Sequence, residues 1–399
     1  MQSEANQTTL LVQKLYYDVD TRGDRTSFEQ LQELSNNGNI LATVSLCVAL
    51  YTVARFQDKT RSINLAESII YWLHEECDSH ETSQNAHALC MLGSLYYDGI
   101  GVQKNYFTAA KYFQLSADQN YSLGQYSIGC CYHYENGQGV EKNLEEAVRY
   151  YRLAAAQGDA GGLNNLGGCY EHGTGVETNL EEAVRLYRLS AEQGDAAAQY
   201  NLGDCFEYGK GLEINYLEAA RYYRLAGEQG DATALYCLGY FFEHGVGVEI
   251  NFEESFRFYC MAANMGYAAA QNNIGYSYQN GIGTSINYEE SVRYYRLASE
   301  QGEDAACYNL GYCYEHGLGV EASLSEAIKY YRMATDLNTQ NKFAIEAVTI
   351  IARDHPDIYR NEQWRRRKYA VWLSTDACEK RNVFNVISTD VGRITITYL

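Results

Sequence analysis

Apolar residues recur along most of the chain at the three- and four-residue spacing of helices, and the same pattern returns at a fixed interval. A leucine or isoleucine followed by glycine marks the same point in each unit: Leu92-Gly93, Ile128-Gly129, Leu166-Gly167, Leu202-Gly203, Leu238-Gly239, Ile274-Gly275 and Leu310-Gly311. The interval is 36 residues, except for one of 38, where two extra residues lie near Tyr134 and Glu135. The periodicity predicts seven helical hairpins over residues 85–338.

The unit at residues 159–194 shows how one hairpin is divided. Asp159 is placed to cap a first helix, and Gly173 is placed to end it. Asn179 then caps a second helix, and we expect Glu182 to reach back to the amide of the cap as in a capping box. The same cap and acid recur as Asn143 with Glu146, Asn215 with Glu218, Asn251 with Glu254, Asn287 with Glu290 and Ser323 with Glu326.

Each unit carries a version of Leu-Gly-x-x-Tyr, then Gly-x-Gly-Val, then Asn-x-x-x-Ala and Arg-Tyr-Tyr-Arg-Leu-Ala. In the unit at residues 159–194 the matching positions are Leu166, Gly167, Tyr170, Gly173, Gly175, Val176, Ala183, Tyr187 and Ala191. This motif resembles the Sel-one-like repeat family, a relative of the tetratricopeptide repeat. The resemblance implies an all-α fold, a right-handed α-solenoid of antiparallel helix pairs. It also implies an adaptor, because family members scaffold signalling, quality-control and host-interaction complexes.

Two faces of the first helix differ in composition. Counted from the motif glycine, offsets −5, −1, +2 and +3 share one face, which we expect to form the core. Offsets −3, +1 and +5 lie four residues apart and form a stripe on the opposite face. This first-helix stripe consists, in units four to seven, of Tyr200, Asp204, Tyr208, Tyr236, Tyr240, His244, Asn272, Tyr276, Asn280, Tyr308, Tyr312 and His316.

Tyrosine and asparagine are frequent in the first-helix stripe. Tyrosine is common at protein interfaces because it brings a large apolar area and a hydrogen-bonding tip with few rotatable bonds. If the first helices line a concave wall, as in related solenoids, we expect the stripe to bind a protein partner in the groove. The alternative is that these side chains contact one another across adjacent repeats and only stiffen the wall.

Composition and charge narrow the class of partner and the compartment. The chain has one proline and 34 glycines, which fits helices that end at glycine. A formal net charge of −20 disfavours nucleic acid as a partner. Residues 1–9 are polar and the apolar stretch at residues 41–56 is interrupted by polar residues, so we expect neither a secretion signal nor membrane insertion. These features favour a cytoplasmic protein in which the 12 cysteines stay reduced.

Three patterns that resemble chemical sites have structural explanations. Glu-His-Gly places His172, His244 and His316 two units apart, ~16 to 20 Å, too far to share a metal. Cysteines at offset +2 stand ~8 to 10 Å apart, too far for disulfides, and we expect buried thiols at Cys131, Cys169, Cys205 and Cys313. Acids and bases four residues apart on the second helices predict surface ion pairs: Glu145 with Arg149, Glu181 with Arg185, Glu253 with Arg257 and Glu289 with Arg293.

The ends of the chain depart from the repeat. We expect a flexible N-terminus at residues 1–26, capping helices with a degenerate repeat at 27–84, and C-terminal capping helices at 339–399. Residues 382–388 and 393–398 alternate in polarity and predict a small hairpin. A basic cluster at residues 365–368 indicates either a targeting or docking element or the outer face of a capping helix.

The sequence therefore predicts a cytoplasmic scaffold or adaptor that binds a protein segment. No nucleophile with a base, phosphate-binding loop or zinc spacing is found, so we expect no enzymatic activity, metal or cofactor. Two alternatives follow from the family resemblance. One is a secreted lactam-binding or lactam-hydrolysing protein, and the other is an adaptor in protein quality control of the endoplasmic reticulum.

Overall fold

The computed structural model describes residues 86–99, 102–134 and 139–361, together with two strands nearer the C-terminus. The predictions for residues 1–26 and 27–84 lie outside these residues, as does the basic cluster at residues 365–368.

Each repeat consists of a first and a second helix. The first helices are α1 (Ala86–Asp98), α3 (Ser122–His133), α5 (Ala160–His172), α7 (Ala196–Tyr208), α9 (Ala232–His244), α11 (Ala268–Asn280) and α13 (Asp304–His316). The second helices are α2 (Tyr106–Asp118), α4 (Leu144–Ala156), α6 (Leu180–Glu192), α8 (Tyr216–Glu228), α10 (Phe252–Asn264), α12 (Tyr288–Glu300) and α14 (Leu324–Leu337). After α15 (Lys342–Asp354), a further helix begins at Pro356. Proline is tolerated at this first position because an amide hydrogen there would have no acceptor within the helix.

The chain forms two compact units. The first contains Met1–Cys205 and Gly209–Glu213, and the second contains Phe206–Tyr208 and Ile214–Leu399. Within the described part of each unit, consecutive helices pack against one another as antiparallel pairs. This arrangement confirms the predicted class, an all-α solenoid of helix pairs.

Two strands lie near the C-terminus. β1 (Phe384–Thr389) and β2 (Arg393–Tyr398) pair in antiparallel orientation. Phe384 lies opposite Tyr398, and Thr389 lies opposite Arg393.

The helix caps agree with the prediction, but the acid that follows each second-helix cap has a different partner. Oδ1 of Asn179 accepts a hydrogen bond from the amide of Glu182 at 3.0 Å, and the equivalent bond forms in the other five predicted units. The amide of Asn179 donates to the Tyr170 carbonyl at 2.9 Å instead of to Glu182. The capping box is therefore wrong in its second half. The carboxylate of Glu182 is engaged by Arg185 at 2.7 Å.

The surface ion pairs are consequently spaced three residues apart and not four. The pairs are Arg149 with Glu146, Arg185 with Glu182, Arg221 with Glu218, Arg257 with Glu254, Arg293 with Glu290 and Lys329 with Glu326. The predicted pairs, in which each arginine meets the glutamate four residues earlier, are wrong. The glutamate three residues earlier lies on the same side of the helix as the arginine and pairs with it instead. Exposed pairs of this kind stabilise a helix by only ~0.3 to 0.5 kcal/mol each.

A buried tyrosine ring of the second helix lies directly against the motif glycine of the first. A Cβ atom placed on Gly167 would stand 2.7 Å from Cε1 of Tyr187, far inside contact distance. The same close approach joins Gly129 to Tyr151, Gly239 to Tyr259, Gly275 to Tyr295 and Gly311 to Tyr331. The motif glycine therefore lets the second helix come close to the first in these repeats.

The predicted core face is buried at three of its four offsets. Alanine at offset −5, leucine or isoleucine at −1 and the residue at +2 are sealed from solvent, as in Ala270, Ile274 and Ser277. Offset +3 is only half-buried. Its ring instead stacks on a ring of the second helix, as Tyr278 does on Tyr294 with centroids 6.0 Å apart.

Two adjacent glycines of α5 provide a test of the helix-to-helix contact. We expect Gly167→Ala to lower the free energy of unfolding by about 1 to 3 kcal/mol, because the new methyl group overlaps the ring of Tyr187. Gly168→Ala is the matched control, since its Cβ meets only the Tyr187 hydroxyl at 3.6 Å and alanine favours the helix by about 1 kcal/mol. Urea denaturation followed by circular dichroism measures both. Equal effects of the two substitutions would contradict the packing role.

Candidate functional site

The first-helix stripe divides into an inner and an outer part. The residues at offset −3, which are Tyr200, Tyr236, Asn272 and Tyr308, are all half-buried. At offsets +1 and +5, exposed side chains are found at Tyr208, Tyr240, His244, Tyr276, Asn280 and His316, whereas Asp204 and Tyr312 are half-buried. The prediction treated the stripe as one solvent-facing row, and the structure separates it by depth.

The inner tyrosines of the second unit contact neighbouring helices. The ring of Tyr236 lies 5.6 Å from that of Tyr259 and 5.2 Å from that of Tyr267. The ring of Tyr308 lies 5.5 Å from that of Tyr331 and 6.0 Å from that of Phe343. Burial raises the pKa of both inner phenols above the ordinary value. These two side chains therefore match the alternative interpretation, in which the stripe packs the wall.

The inner asparagines also connect successive repeats. Asn309 Nδ2 donates to Asn272 Oδ1 at 2.9 Å in the second unit. In the first unit, Asn201 Nδ2 donates to Asn164 Oδ1 at 2.9 Å in the same way. The side-chain oxygen of Asn272 thus accepts a hydrogen bond from the next repeat, which gives Asn272 a structural role.

The outer side chains of the second unit are held in place by their own helix ends. Tyr240 stacks on His244, and Tyr312 stacks on His316, each with centroids 4.1 Å apart. Nδ1 of each histidine lies 3.0 to 3.1 Å from the carbonyl oxygen of its tyrosine. A carbonyl only accepts hydrogen bonds, so Nδ1 carries the proton and Nε2 is left for solvent or a partner.

Asn280 makes the equivalent bond in the repeat between them. Its Nδ2 donates to the carbonyl oxygen of Tyr276 at 2.9 Å. Histidine or asparagine at offset +5 thereby folds back onto the carbonyl oxygen one turn earlier in its own helix. The outer stripe is consequently ordered before any partner binds.

Asp204 belongs to a charged cluster of the first unit and not to an aromatic row. Lys210 Nζ lies 2.5 Å from Asp204 Oδ2 and 2.8 Å from Glu171 Oε1. The hydroxyl of Tyr187 donates to Glu171 Oε2 at 2.8 Å. Burial alone would raise the pKa of Glu171, but the hydrogen bonds from Lys210 and Tyr187 hold it below its ordinary value of 4.5.

The glutamate of each Glu-His-Gly sequence has a role that the sequence interpretation missed. It accepts a hydrogen bond from the buried tyrosine sixteen residues later, in the pairs Tyr187 with Glu171, Tyr259 with Glu243 and Tyr331 with Glu315, at 2.6 to 2.8 Å. Glu207, at the same position in a Glu-Tyr-Gly sequence, accepts from Tyr223 at 2.6 Å. Tyr295 uses Gln279 in the same way at 3.1 Å. The constant spacing of a tyrosine and an acid was the signal available in the sequence.

The candidate chemical groups lie where structural roles explain them. Cys131, Cys205 and Cys313 are buried free thiols, and burial raises the pKa of each to about 12. His172, His244 and His316 are exposed at the ends of their helices. Across residues 86–99, 102–134 and 139–361, no group of histidine, cysteine and acidic side chains is arranged to hold a metal ion. In that same part of the chain, no helix combines the length and apolar composition required to cross a bilayer.

Stacked antiparallel helix pairs with an exposed aromatic face define a helical-repeat protein of the interaction-scaffold type. The Sel1 repeat model matches seven consecutive segments, residues 86–121, 122–159, 160–195, 196–231, 232–267, 268–303 and 304–339. These segments make up more than half of the chain, and the chain belongs to the Sel1 repeat family. Proteins of this family are generally scaffolds and not enzymes.

Two solved structures illustrate the similarity. The protein c5321, a protective antigen present in uropathogenic Escherichia coli strains and displaying an SLR fold, aligns with a TM-score of 0.63 at 31% identity. That alignment covers 71% of this chain but only 59% of the antigen. A Sel1 repeat protein from Oxalobacter formigenes aligns with a TM-score of 0.46 at 27% identity, over 73% of this chain and 96% of that one. No curated protein sequence matches the chain.

The charged cluster of the first unit predicts a pH-dependent effect of Lys210→Met. Near pH 7 the variant leaves the Glu171 carboxylate half-buried without its cation, and we expect a loss of about 1 to 3 kcal/mol in the free energy of unfolding. Because the pKa of Glu171 is lowered, the stability that its ionised carboxylate contributes to the fold is complete above about pH 4.5. This contribution is lost as the pH falls through the lowered pKa. The difference between wild type and variant therefore shrinks below about pH 4.

Urea denaturation at pH 7 and pH 3.5 measures this difference. Lys111→Met serves as the control, because Lys111 is exposed on α2 and forms no ion pair among the described residues. A pH-independent effect of Lys210→Met would show that the cluster does not stabilise the ionised carboxylate.

Proposed function

We propose that this protein is a scaffold that binds a protein segment along the outer part of the first-helix stripe in its second unit. The binding residues are Tyr240, Tyr276 and Tyr312 with the side chains one turn on, His244, Asn280 and His316. The observation that carries the proposal is the repetition of an exposed ring in successive repeats. Tyr240 and Tyr276 are 41% and 47% exposed, although each is a large aromatic side chain on an ordered helix.

The geometry of these side chains suits recognition. One turn after each outer tyrosine, a histidine or asparagine side chain bonds the backbone carbonyl of that tyrosine. Few side-chain torsions of these residues therefore remain to be fixed on binding. Pre-ordered aromatic groups raise affinity because less conformational entropy is lost when the partner binds. The inner residues Tyr236, Asn272 and Tyr308 support this surface by packing between repeats.

The chemistry of the outer stripe indicates the kind of segment that fits. The six proposed binding side chains provide rings, hydroxyls, imidazoles and one amide, but no carboxylate and no fixed positive charge. Such a surface binds a polypeptide with apolar side chains and free backbone hydrogen-bonding groups. Tyr200, Asp204 and Tyr208 contribute less in this proposal, because the sequence of tyrosines is interrupted where Asp204 pairs with Lys210.

We place this scaffold in the cytoplasm as part of the same proposal. Its support is that the nine cysteines within the described residues form no disulfide with one another. Reduced thiols in this number are typical of a reducing compartment. A role in assembling signalling complexes is consistent with this placement.

A triple substitution tests the proposed surface. We expect Tyr240→Ser, Tyr276→Ser and Tyr312→Ser together to reduce capture of the partner at least ten-fold, since interface tyrosines each contribute ~1 to 2 kcal/mol. Quantitative affinity capture from cells, comparing wild type and variant at equal loading, measures this. The melting temperature should change by only a few degrees, because the three rings are not part of the sealed core.

The control is Leu153→Gln, Leu189→Gln and Leu297→Gln. These leucines are 38 to 39% exposed on second helices, so the variant removes a similar apolar area from a different face. A photo-crosslinking residue placed at position 276 should also join the partner, and one at position 297 should not. Retention of the same partners by both triple variants would reject the stripe as the binding surface.

A further inference from the structure

A second exposed apolar surface lies where the second helices of the second unit begin. In three successive repeats an isoleucine precedes the N-cap and an aromatic residue follows it: Ile214 and Tyr216, Ile250 and Phe252, Ile286 and Tyr288. The isoleucines are 55%, 60% and 57% exposed, and the aromatic residues are 39 to 47% exposed. We call these six residues the helix-start edge. They lie on loops and first turns and are separate from the first-helix stripe.

Glycine contacts make the helix-start edge continuous. The second glycine of each Gly-x-Gly turn lies on the backbone of the preceding repeat, at the residue that opens its second helix. A Cβ atom on Gly247 would stand 2.5 Å from Tyr216, and one on Gly283 would overlap the carbonyl of Phe252. The first and second pairs of edge residues are therefore each covered on one side by the turn that carries the next pair.

The edge also borders a shallow, open cleft. The cleft has a volume of about 650 Å³ and lies between Ile250 and Phe252 on one side and the turn at Gly281, Gly283, Thr284 and Ser285 on the other. Its volume is sufficient for one or two side chains of a bound segment. The cleft is thus a place for an apolar group to enter between two repeats.

An isoleucine before the N-cap is found only in these three of the seven repeats. The position of the isoleucine is occupied by Lys104, Lys142, Thr178 and Ala322 in the other four repeats. The hairpin therefore also forms with lysine, threonine or alanine here, and its fold does not require isoleucine. An exposed β-branched apolar side chain that the fold does not need is typical of a binding surface.

The charge around the edge selects the kind of partner. Glu249, Glu253 and Glu289 are exposed beside the apolar residues and form no ion pair among the described residues. The capping acids one position on, Glu254 and Glu290, are already paired with arginines. Residues 214–217, 249–253 and 285–289 contain no lysine or arginine. The edge consequently combines exposed apolar groups with uncompensated negative charge.

From this juxtaposition we propose that the helix-start edge is a second docking surface, for a basic protein segment that carries apolar side chains at regular intervals. We take the spacing of successive second helices as about one interhelix distance, ~10 Å, and an extended chain advances ~3.3 Å per residue. The segment that fits has an apolar residue at every third position, with lysine or arginine between. Its apolar side chains contact the isoleucines and enter the cleft, and its bases pair with the three glutamates.

The same charge argues against other occupants. Anionic lipid headgroups and nucleic acid would be repelled by uncompensated carboxylates at the contact. A second copy of this acidic chain, with a net charge of −20, would meet the same repulsion.

A labelled decapeptide with leucine at positions 1, 4, 7 and 10 and lysine elsewhere is the probe. We expect full-length wild type to bind it in fluorescence anisotropy, with an affinity that falls as salt increases from 50 to 500 mM. Ile214→Thr, Ile250→Thr and Ile286→Thr together should weaken binding at least ten-fold. Threonine is the residue that the chain itself has at position 178, and the substitution leaves the net charge unchanged.

Three further measurements separate the contributions. Glu249→Gln, Glu253→Gln and Glu289→Gln together should weaken binding and flatten its salt dependence. A peptide with serine in place of leucine should bind at least ten-fold more weakly than the probe. The Leu153→Gln, Leu189→Gln, Leu297→Gln variant and the stripe variant of Tyr240, Tyr276 and Tyr312 should both bind as wild type does.

Several results would overturn the proposal. They are absence of binding to wild type, equal binding by the isoleucine variant, and equal binding of the serine peptide, which would show attraction by charge alone. Sedimentation velocity provides one more: a wild-type dimer that the isoleucine variant lacks would make the edge a contact between copies. Because the stripe variant retains its edge, loss of one surface is distinguishable from loss of the other.

Discussion

The close approach of a tyrosine ring to a glycine is the contact on which the remaining structure depends. With no side chain at the motif glycine, the second helix moves near enough for the ring to fill the space between the two helices. Tyr151, Tyr187, Tyr259, Tyr295 and Tyr331 are all at most 1% exposed, so this position is sealed in repeats of both units. The distance between the two helices of a hairpin determines which faces of the first helix remain in solvent, and thereby where a partner can bind.

Much of the fold could be predicted from the sequence because its determinants are local. Asparagine before a helix, glycine after it and apolar residues at helical spacing act within a few residues, and Asn179, Gly173 and Leu166 behave as expected. The capping box failed because two partners were available to Glu182. Arg185 on the next turn offers a charged donor, whereas the amide of Asn179 is taken by the Tyr170 carbonyl.

The candidate site was predictable only in part because its inner half depends on contacts between repeats. A single helix places Tyr236 and Tyr240 on one stripe, and nothing in the helix itself distinguishes them. Tyr267, at the start of the following repeat, covers Tyr236 and leaves Tyr240 exposed. The sequence likewise places Asp204 in the row, but in the structure its carboxylate pairs with Lys210, six residues later. The isoleucines of the helix-start edge were visible in the sequence, but their exposure depends on how the neighbouring turn lies.

In the third to seventh repeats, the bond from the buried phenol to an acid or amide of its own first helix has a mechanical consequence. If the second helix slid along the first by one residue, the hydroxyl of Tyr259 would leave Glu243 and remain in the interior without an acceptor. A hairpin secured in this way resists shear along its long axis while its loops stay free to change. Residues such as Ile214, Ile250 and Ile286 can therefore be exchanged during evolution without disturbing the frame that carries them, and the array can acquire new binding partners one loop at a time.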